Sequence, residues 1–280
     1  AVFGDTILAP QTVSVNEDIT VGQLRFDSAQ SYTLAGPGIL HLVGIEHPTN
    51  ITAIRGTHTI ASTVELATTG DILIAADSAI HFTSSGGVVI KAGVEINKQG
   101  EGIMTITQNL TIQSAGTLKL TESGAQVLRL GRLITQGTGQ LDVEDNQVVF
   151  AAMGPTEVRG LLQSSALTTF SKKGNGVGAL GYMSGQDHAA LGGSNVGGLP
   201  LAPTDMLVAY TTVGDVNLDG HIDGVDWAQM DAAYLSGMTN ALWINGDFNY
   251  DGLVNAADYA LADAAYLMQQ GASAQARITA

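Results

Sequence analysis

Residues 112–143 read IQSAGTLKLTESGAQVLRLGRLITQGTGQLDV. The opening IQSAGTLKL resembles the closing ITQGTGQLDV, which begins at Ile134. Both alternate apolar and polar residues around Gly, Ser and Thr, the pattern of half-buried strands ended by tight turns. Faint self-similarity at the spacing of one rung is what a β-solenoid, coiled so that each turn stacks on the last, leaves in its sequence.

The same texture extends outward from about residue 10 to residue 150. TVSV, ITVGQLRF, ILHLV, VELA, DILIA, AIHF, VVIK, VEIN, IMTIT and QVVF are short alternating runs bounded by Gly, Ser, Asn or Asp. No helix-length amphipathic segment interrupts them, so residues 1–153 read as a mainly β domain. A β-sandwich would space its strands in the same way and stands as the alternative. Aromatics at 5% against 35 glycines favour the thin core of a solenoid, which has little room for large rings.

Residues 154–204 change character. PTEVRGLLQSSALT (155–168) predicts a short helix, with Pro155 in its first turn and Val158, Leu161 and Leu162 on one face. Residues 171–200 hold nine glycines in thirty and read as a flexible connector or a long irregular loop. DMLVAYTTV (205–213) predicts one more strand before an acidic tail.

Charge separates that tail from the rest. The net charge is −15; residues 205–280, with ten Asp, no Glu and a single Arg277, carry −9 of it. Such an acidic chain is a poor partner for nucleic acid, whose phosphates call for Lys and Arg. A dense cluster of Asp alone points to a hard cation. There is no cysteine, hence no disulfide or thiolate metal site. No run approaches the roughly 20 apolar residues of a membrane helix. Ala1 follows no charged and apolar leader, which fits a mature secreted form cut after a signal peptide.

Within the tail one stretch is written twice. GDVNLDGHIDGVDWAQMDAAYL (214–235) and GDFNYDGLVNAADYALADAAYL (246–267) share 12 of 22 aligned positions. Each fits a twelve-residue calcium loop, since Ca²⁺ takes six to eight oxygens from alternate positions of a tight turn. The first offers Asp215, Asn217, Asp219, the His221 carbonyl, Asp223 and Asp226. The second offers Asp247, Asn249, Asp251, the Leu253 carbonyl, Asn255 and Asp258. Gly220 and Gly252 stand at the sixth position, where the chain bends sharply. Ile222 and Val254, at the eighth, are expected to join the loops by a short β-bridge. A helix follows each loop, and Trp227, Met230, Ala233 and Tyr234 face Tyr259, Ala262, Ala265 and Tyr266. Two calcium ions are expected.

This tandem resembles a type I dockerin, with Asp at the twelfth position and no helix entering either loop. In dockerins of cellulose-degrading complexes, Ser or Thr pairs at the tenth and eleventh positions contact a cohesin. Here those positions are Gly224-Val225 and Ala256-Ala257, so the resemblance implies calcium binding without the usual cohesin readers. TVSVNEDITVGQLRF and NKQGEGIMTITQNLTIQSAGTLKL resemble bacterial surface proteins with autotransporter-associated β-strand repeats. That resemblance implies a secreted, right-handed β-helix-like body.

Catalytic signatures are missing. The histidines at 41, 47, 58, 81, 188 and 221 form no HxxxH or HxH pair. His41 and His81 read as ordinary rung positions. There is no GxSxG or Walker loop, and the GNGVG at 174–178 has no strand–loop–helix frame. Glu65, Asp71, Asp77 and Glu95, with Lys91 and Lys98 nearby, are the acids that could align on successive rungs of a carbohydrate-active solenoid. The leading expectation is a non-catalytic extracellular or cell-surface protein. Its calcium module would mediate subunit or surface association, self-assembling into a filament, surface layer or matrix. The alternatives are docking to a cohesin-like receptor and binding or processing of polysaccharide.

Overall fold

In the computed structural model, which describes residues 1–44, 49–170 and 177–279, the first 150 residues coil into a β-solenoid of roughly seven turns. The sandwich alternative fails on strand direction: strands of the coil pair parallel with the strand one turn on, whereas a sandwich is built from antiparallel pairs. Glu95 stands beside Thr117 and Gly70 beside Ile96, offsets of 22 and 26 residues per turn. The two similar segments of 112–143 are neighbours in register, with Leu118 beside Leu141.

One face of the coil is an eight-stranded parallel sheet running from Val2–Phe3 through Gly70–Ile74 and Glu95–Gln99 to Leu167–Thr168. The remaining strands form a thirteen-stranded sheet that turns a corner within Ile103–Ile112, where the register shifts between Ile106 and Asn109. Alternation sends every second side chain inwards, so like residues stack along the axis. Leu24, Ile51 and Ile72 follow one another in register, then Lys98, then Leu120.

Lys98 is as buried as those aliphatic neighbours. Its ammonium donates to the carbonyl oxygens of Gly100 and of Gly102, the latter at 2.8 Å, and burial pulls its pKa down to about 8. Gly100 has φ +76°, and a Cβ there would fall 2.2 Å from the Ile74 carbonyl oxygen. Gly100 and Gly102 of the NKQGEG stretch thus stand where no side chain fits, and their carbonyls are satisfied from inside the core.

The predicted helix forms as α1 (Pro155–Gln163), with Pro155 at its first position and Val158 and Leu162 buried on the solenoid core. The predicted strand forms at Met206–Thr212, but it closes the solenoid. It pairs antiparallel with Gln147–Phe150 on one side and with Gly178–Ser184 on the other. Asp205, counted with the acidic tail, is buried and ion-paired to Arg129 at 2.9 Å.

The glycine-rich stretch departs from expectation over its described part. It contributes the strand Gly178–Ser184, the helix α2 (Gly185–Ala190) and a hairpin of Asn195–Val196 with Leu199–Pro200. Gly178, Gly181, Gly185, Gly193 and Gly197 sit where a Cβ would collide with a neighbour. A Cβ on Gly181 would lie 2.3 Å from Leu218 and 2.6 Å from Trp243. His47 and residues 174–176 of GNGVG lie outside the described residues. The C-terminal region is small and helical, with α3 (Gly224–Ser236) and α4 (Ala256–Thr279). Among the described residues no helix is long and apolar enough to cross a membrane.

Candidate metal centre

The two Asp-rich loops repeat one backbone. Gly214 and Gly246, just before them, have φ of 102° and 100°; Leu218 and Tyr250, at the fourth position, both have 62°; Gly220 and Gly252, at the sixth, both have 88°. A left-handed Leu or Tyr is strained and persists only where its surroundings fix it. Here the body does so. Leu218 packs against Gly181, and the Tyr250 hydroxyl donates to the Leu180 carbonyl at 2.9 Å. Both fourth-position side chains thus plug into the strand Gly178–Ser184, a role unforeseen in the sequence. The signal was there: large apolar residues at the same place in two otherwise polar loops.

The side chains repeat as faithfully. Asp215 and Asp247 accept the N–H of Gly220 and Gly252 at 2.8 and 2.9 Å. Asn217 and Asn249 accept from Asp219 and Asp251, which accept in turn from His221 and Leu253. Asp223 and Asn255 cap the helices by accepting from Val225 and Ala257. The twelfth-position carboxylates of Asp226 and Asp258 reach back to Val216 and Asp223, and to Phe248 and Asn255. Every Asp and Asn named as a ligand thus accepts a backbone N–H within its own loop, and Asp219, Asp223 and Asp251 remain exposed.

Electrostatics sharpens what these loops lack. Asp215, Asp226, Asp247 and Asp258 are fully buried, and between residues 174 and 276 the chain has no Lys or Arg. Burial pushes the Asp215 carboxyl above its ordinary value, aided by the charges of Asp226 and Asp219. Asp226 is raised by burial and by Asp219. Asp247 is pushed up to about 6 by burial, then by Asp258 and Asp251. Asp247 Oδ1 is buried with no hydrogen-bond partner. Among the described residues no three His, Cys, Asp or Glu side chains converge into a metal-holding group by themselves. The amides of Asn217 and Asn249 instead donate to Asp219 and Asp251 at 2.9 Å. An orphaned carboxylate oxygen, buried acids held at raised pKa, and a donor set of Asp, Asn and main-chain carbonyls fit a hard divalent cation.

The expected β-bridge between Ile222 and Val254 does not form. Gln269 of α4 instead clamps Ile222, accepting its N–H and donating to its carbonyl, both at 2.9 Å. Leu253 bridges antiparallel to Thr239, in the chain just after α3. The physical reason is that the Gln269 amide takes both backbone groups of Ile222 that a bridge would need. The helical faces do meet. Trp227 stacks on Tyr259 at 6.2 Å and meets Tyr266 edge-on at 6.3 Å, while Met230, Ala233, Ala262 and Ala265 are buried. Tyr234 meets Tyr259 edge-on at 5.8 Å yet stays exposed.

The acids considered for carbohydrate chemistry do not converge. Glu65 pairs with Lys91 at 2.7 Å and His41 at 2.9 Å on the thirteen-stranded sheet. Asp71 and Glu95 lie on the other sheet, Asp77 sits in a turn, and Lys98 is inside the core. His81 bonds the Thr105 hydroxyl one rung on, at 2.6 Å.

With paired loops of this geometry, a helix after each, and Asp or Asn at the first, third, fifth and ninth positions and Asp at the twelfth, the comparison with protein families decides the identity of the tail. Residues 213–267 match the dockerin type I domain. Dockerin type I domains bind calcium and occur in extracellular or cell-surface proteins. The match covers 55 of the 280 residues and leaves the solenoid outside it. Comparison with curated proteins and with solved structures gives no match.

Proposed function

We propose that this chain is a non-catalytic, secreted bacterial protein whose dockerin domain, folded around two calcium ions, fastens a rigid β-solenoid body to a cohesin-like protein partner. Asp215, Asn217, Asp219, the His221 carbonyl, Asp223 and Asp226 hold the first ion. Asp247, Asn249, Asp251, the Leu253 carbonyl, Asn255 and Asp258 hold the second. The dockerin match, of a domain that occurs in extracellular or cell-surface proteins, and the autotransporter-like texture of the body support an extracellular setting.

The observation that carries this reading is the outward face of the dockerin domain. Its loops turn toward the body, while α3 and α4 keep large apolar side chains in solvent: Leu235 is 82% and Leu267 70% exposed. Between the helices lies a groove of about 590 Å³, lined by Tyr234, Leu235, Ala256, Tyr259 and Ala260 and flanked by Asp231 and Asp263. An apolar patch with an acidic rim is the usual composition of a protein-binding surface. The exposed Gly224-Val225 and Ala256-Ala257 pairs offer no hydroxyls, so recognition here rests on apolar contact rather than side-chain hydrogen bonds.

Filament growth by end-to-end stacking has less support. The last parallel rung of the larger sheet is followed by two antiparallel strands, Met206–Thr212 and then Gly178–Ser184, so the parallel coil does not run on to an exposed rung of that sheet at this end. Surface plasmon resonance against a panel of purified cohesin domains, in calcium and then in chelator, tests the proposal. Calcium-dependent binding that Leu235→Asp abolishes is the expected result. Silence across the panel, with light scattering showing calcium-dependent self-association, would return the reading to assembly.

A further inference from the structure

We infer that the two calcium loops are unequal by construction, and that Arg159, on the helix that caps the solenoid, is the residue that weakens and tunes the second. The inference rests on the calcium-ligand assignment above.

The first-position aspartate of each loop receives one contact from the body, and the two contacts differ in charge. Asp215 accepts a hydrogen bond from the Thr211 hydroxyl of the closing strand, a neutral donor. Asp247 faces the guanidinium of Arg159 instead, with Nη1 at 4.0 Å from Oδ2. Arg159 is held there: it is only 13% exposed, and the same Nη1 donates to the Ala241 carbonyl at 3.1 Å. Its neighbour on α1, Gln163, donates to the Tyr250 carbonyl at 2.6 Å. The cap helix therefore grips the second loop at two points.

The loop is shaped around this cation. A Cβ on Gly252 would fall 2.8 Å from Arg159 Nη1, whereas one on Gly220 would meet nothing within 4 Å. Both glycines share φ 88°, so the turn itself accounts for glycine at either site. Only in the second loop is the space also filled by a charge. Carboxylate number points the same way. The first loop has Asp215, Asp219, Asp223 and Asp226; in the second, Asn255 replaces the ninth-position Asp and leaves three. With Arg159 added, the second loop presents a net −2 to an incoming Ca²⁺ and the first a net −4. Calcium affinity in such loops is set by charge count and rigidity, and a fixed cation a few ångströms from the ion opposes binding directly.

Two consequences follow. The first loop fills at lower calcium than the second. When the second loop is empty, Arg159 still faces Asp247, so the dockerin domain stays seated on the solenoid while its second site responds to calcium.

The test is a calcium titration of the full chain by calorimetry, at low and high ionic strength. Asp219→Ala and Asp251→Ala assign each binding step to a loop. Arg159→Gln removes the charge and keeps a donor for the Ala241 carbonyl; Arg159→Lys keeps the charge. The expected result is two unequal sites, the weaker lost in Asp251→Ala, with Arg159→Gln tightening that site roughly tenfold, as removal of one nearby unit charge should. Arg159→Lys stays close to wild type, and high salt narrows the gap between the sites. The stronger site moves little in either variant. A weaker site that is unchanged or loosened in Arg159→Gln, while Arg159→Lys behaves normally, overturns the inference and leaves the ligand assignment intact. Loss of no binding step in either Asp→Ala variant would overturn the ligand assignment itself.

Discussion

In the solenoid body, Lys98 sits among Ile51, Ile72 and Leu120 and ends on two carbonyls of its own turn. In the dockerin domain, Asp215, Asp226, Asp247 and Asp258 are equally buried, in loops that carry seven carboxylates and meet a single guanidinium. A lone buried charge surrounded by oriented carbonyls is a completed arrangement. Several buried like charges around an orphaned oxygen are not, because their mutual repulsion grows as water is excluded. The difference teaches that the body's fold is closed within its own sequence, whereas the domain's fold, on the function proposed above, is completed by an ion.

The largest effect should come from removing the ion's ligands. Asp219→Ala combined with Asp251→Ala is expected to cost the domain about 4 kcal/mol at saturating calcium, the stabilisation of a ligand present near a thousandfold above its Kd. Both tryptophans, Trp227 and Trp243, lie in the domain, so tryptophan fluorescence follows it alone. The body's far-UV signal should persist.

Lys98→Ala is the mirror experiment. It leaves a cavity and two unsatisfied carbonyls in the body, a loss of about 3 kcal/mol, read by thermal melting in far-UV circular dichroism. Calcium affinity should be unchanged.

Gly181→Ala attacks the seam between the two. A methyl group there meets Leu218 and Trp243, and overpacking of this kind costs about 2 kcal/mol. The domain should melt earlier than the body in this variant, as reported by fluorescence against circular dichroism.

Acidity separates the regions most gently. The Asp247 carboxyl is raised to about 6, so the empty domain loses stability as pH climbs from its unfolded value through 6. The ion needs the ionised form, so calcium affinity should fall as pH drops below about 6. Lys98, lowered to about 8, acts with the opposite logic. The folded body binds fewer protons than the unfolded chain between its two pKa values, so body stability should rise from about pH 8 to the ordinary lysine value. Calcium titrations and chemical denaturation across pH read the two separately.

Much of this was legible in residues. Alternation in runs such as VVIK and VEIN gave the strands, and the likeness of 112–120 to 134–143 gave the coil, because stacked rungs repeat their environments. The loops were legible, and candidate ligands could be named in them, because a calcium loop fixes residue types at fixed positions. The illegible parts were those set by long-range packing. Glycines 178 and 181 look like a flexible linker until Tyr210, Leu218 and Trp243 occupy the space beside them. The expected Ile222–Val254 bridge is replaced by Gln269, 47 residues away, a contact no local pattern encodes. Lys98 could be set beside the acids of a carbohydrate-active face because its burial depends on the turn it satisfies, which no local pattern shows.

The most direct test of the central claim is differential scanning calorimetry of the intact chain in calcium and in chelator, with tryptophan fluorescence assigning the transitions. The account predicts two transitions: chelation lowers the one reported by Trp227 and Trp243 by many degrees and leaves the solenoid's in place. A single transition that chelator leaves unmoved, or two that shift together, would contradict it.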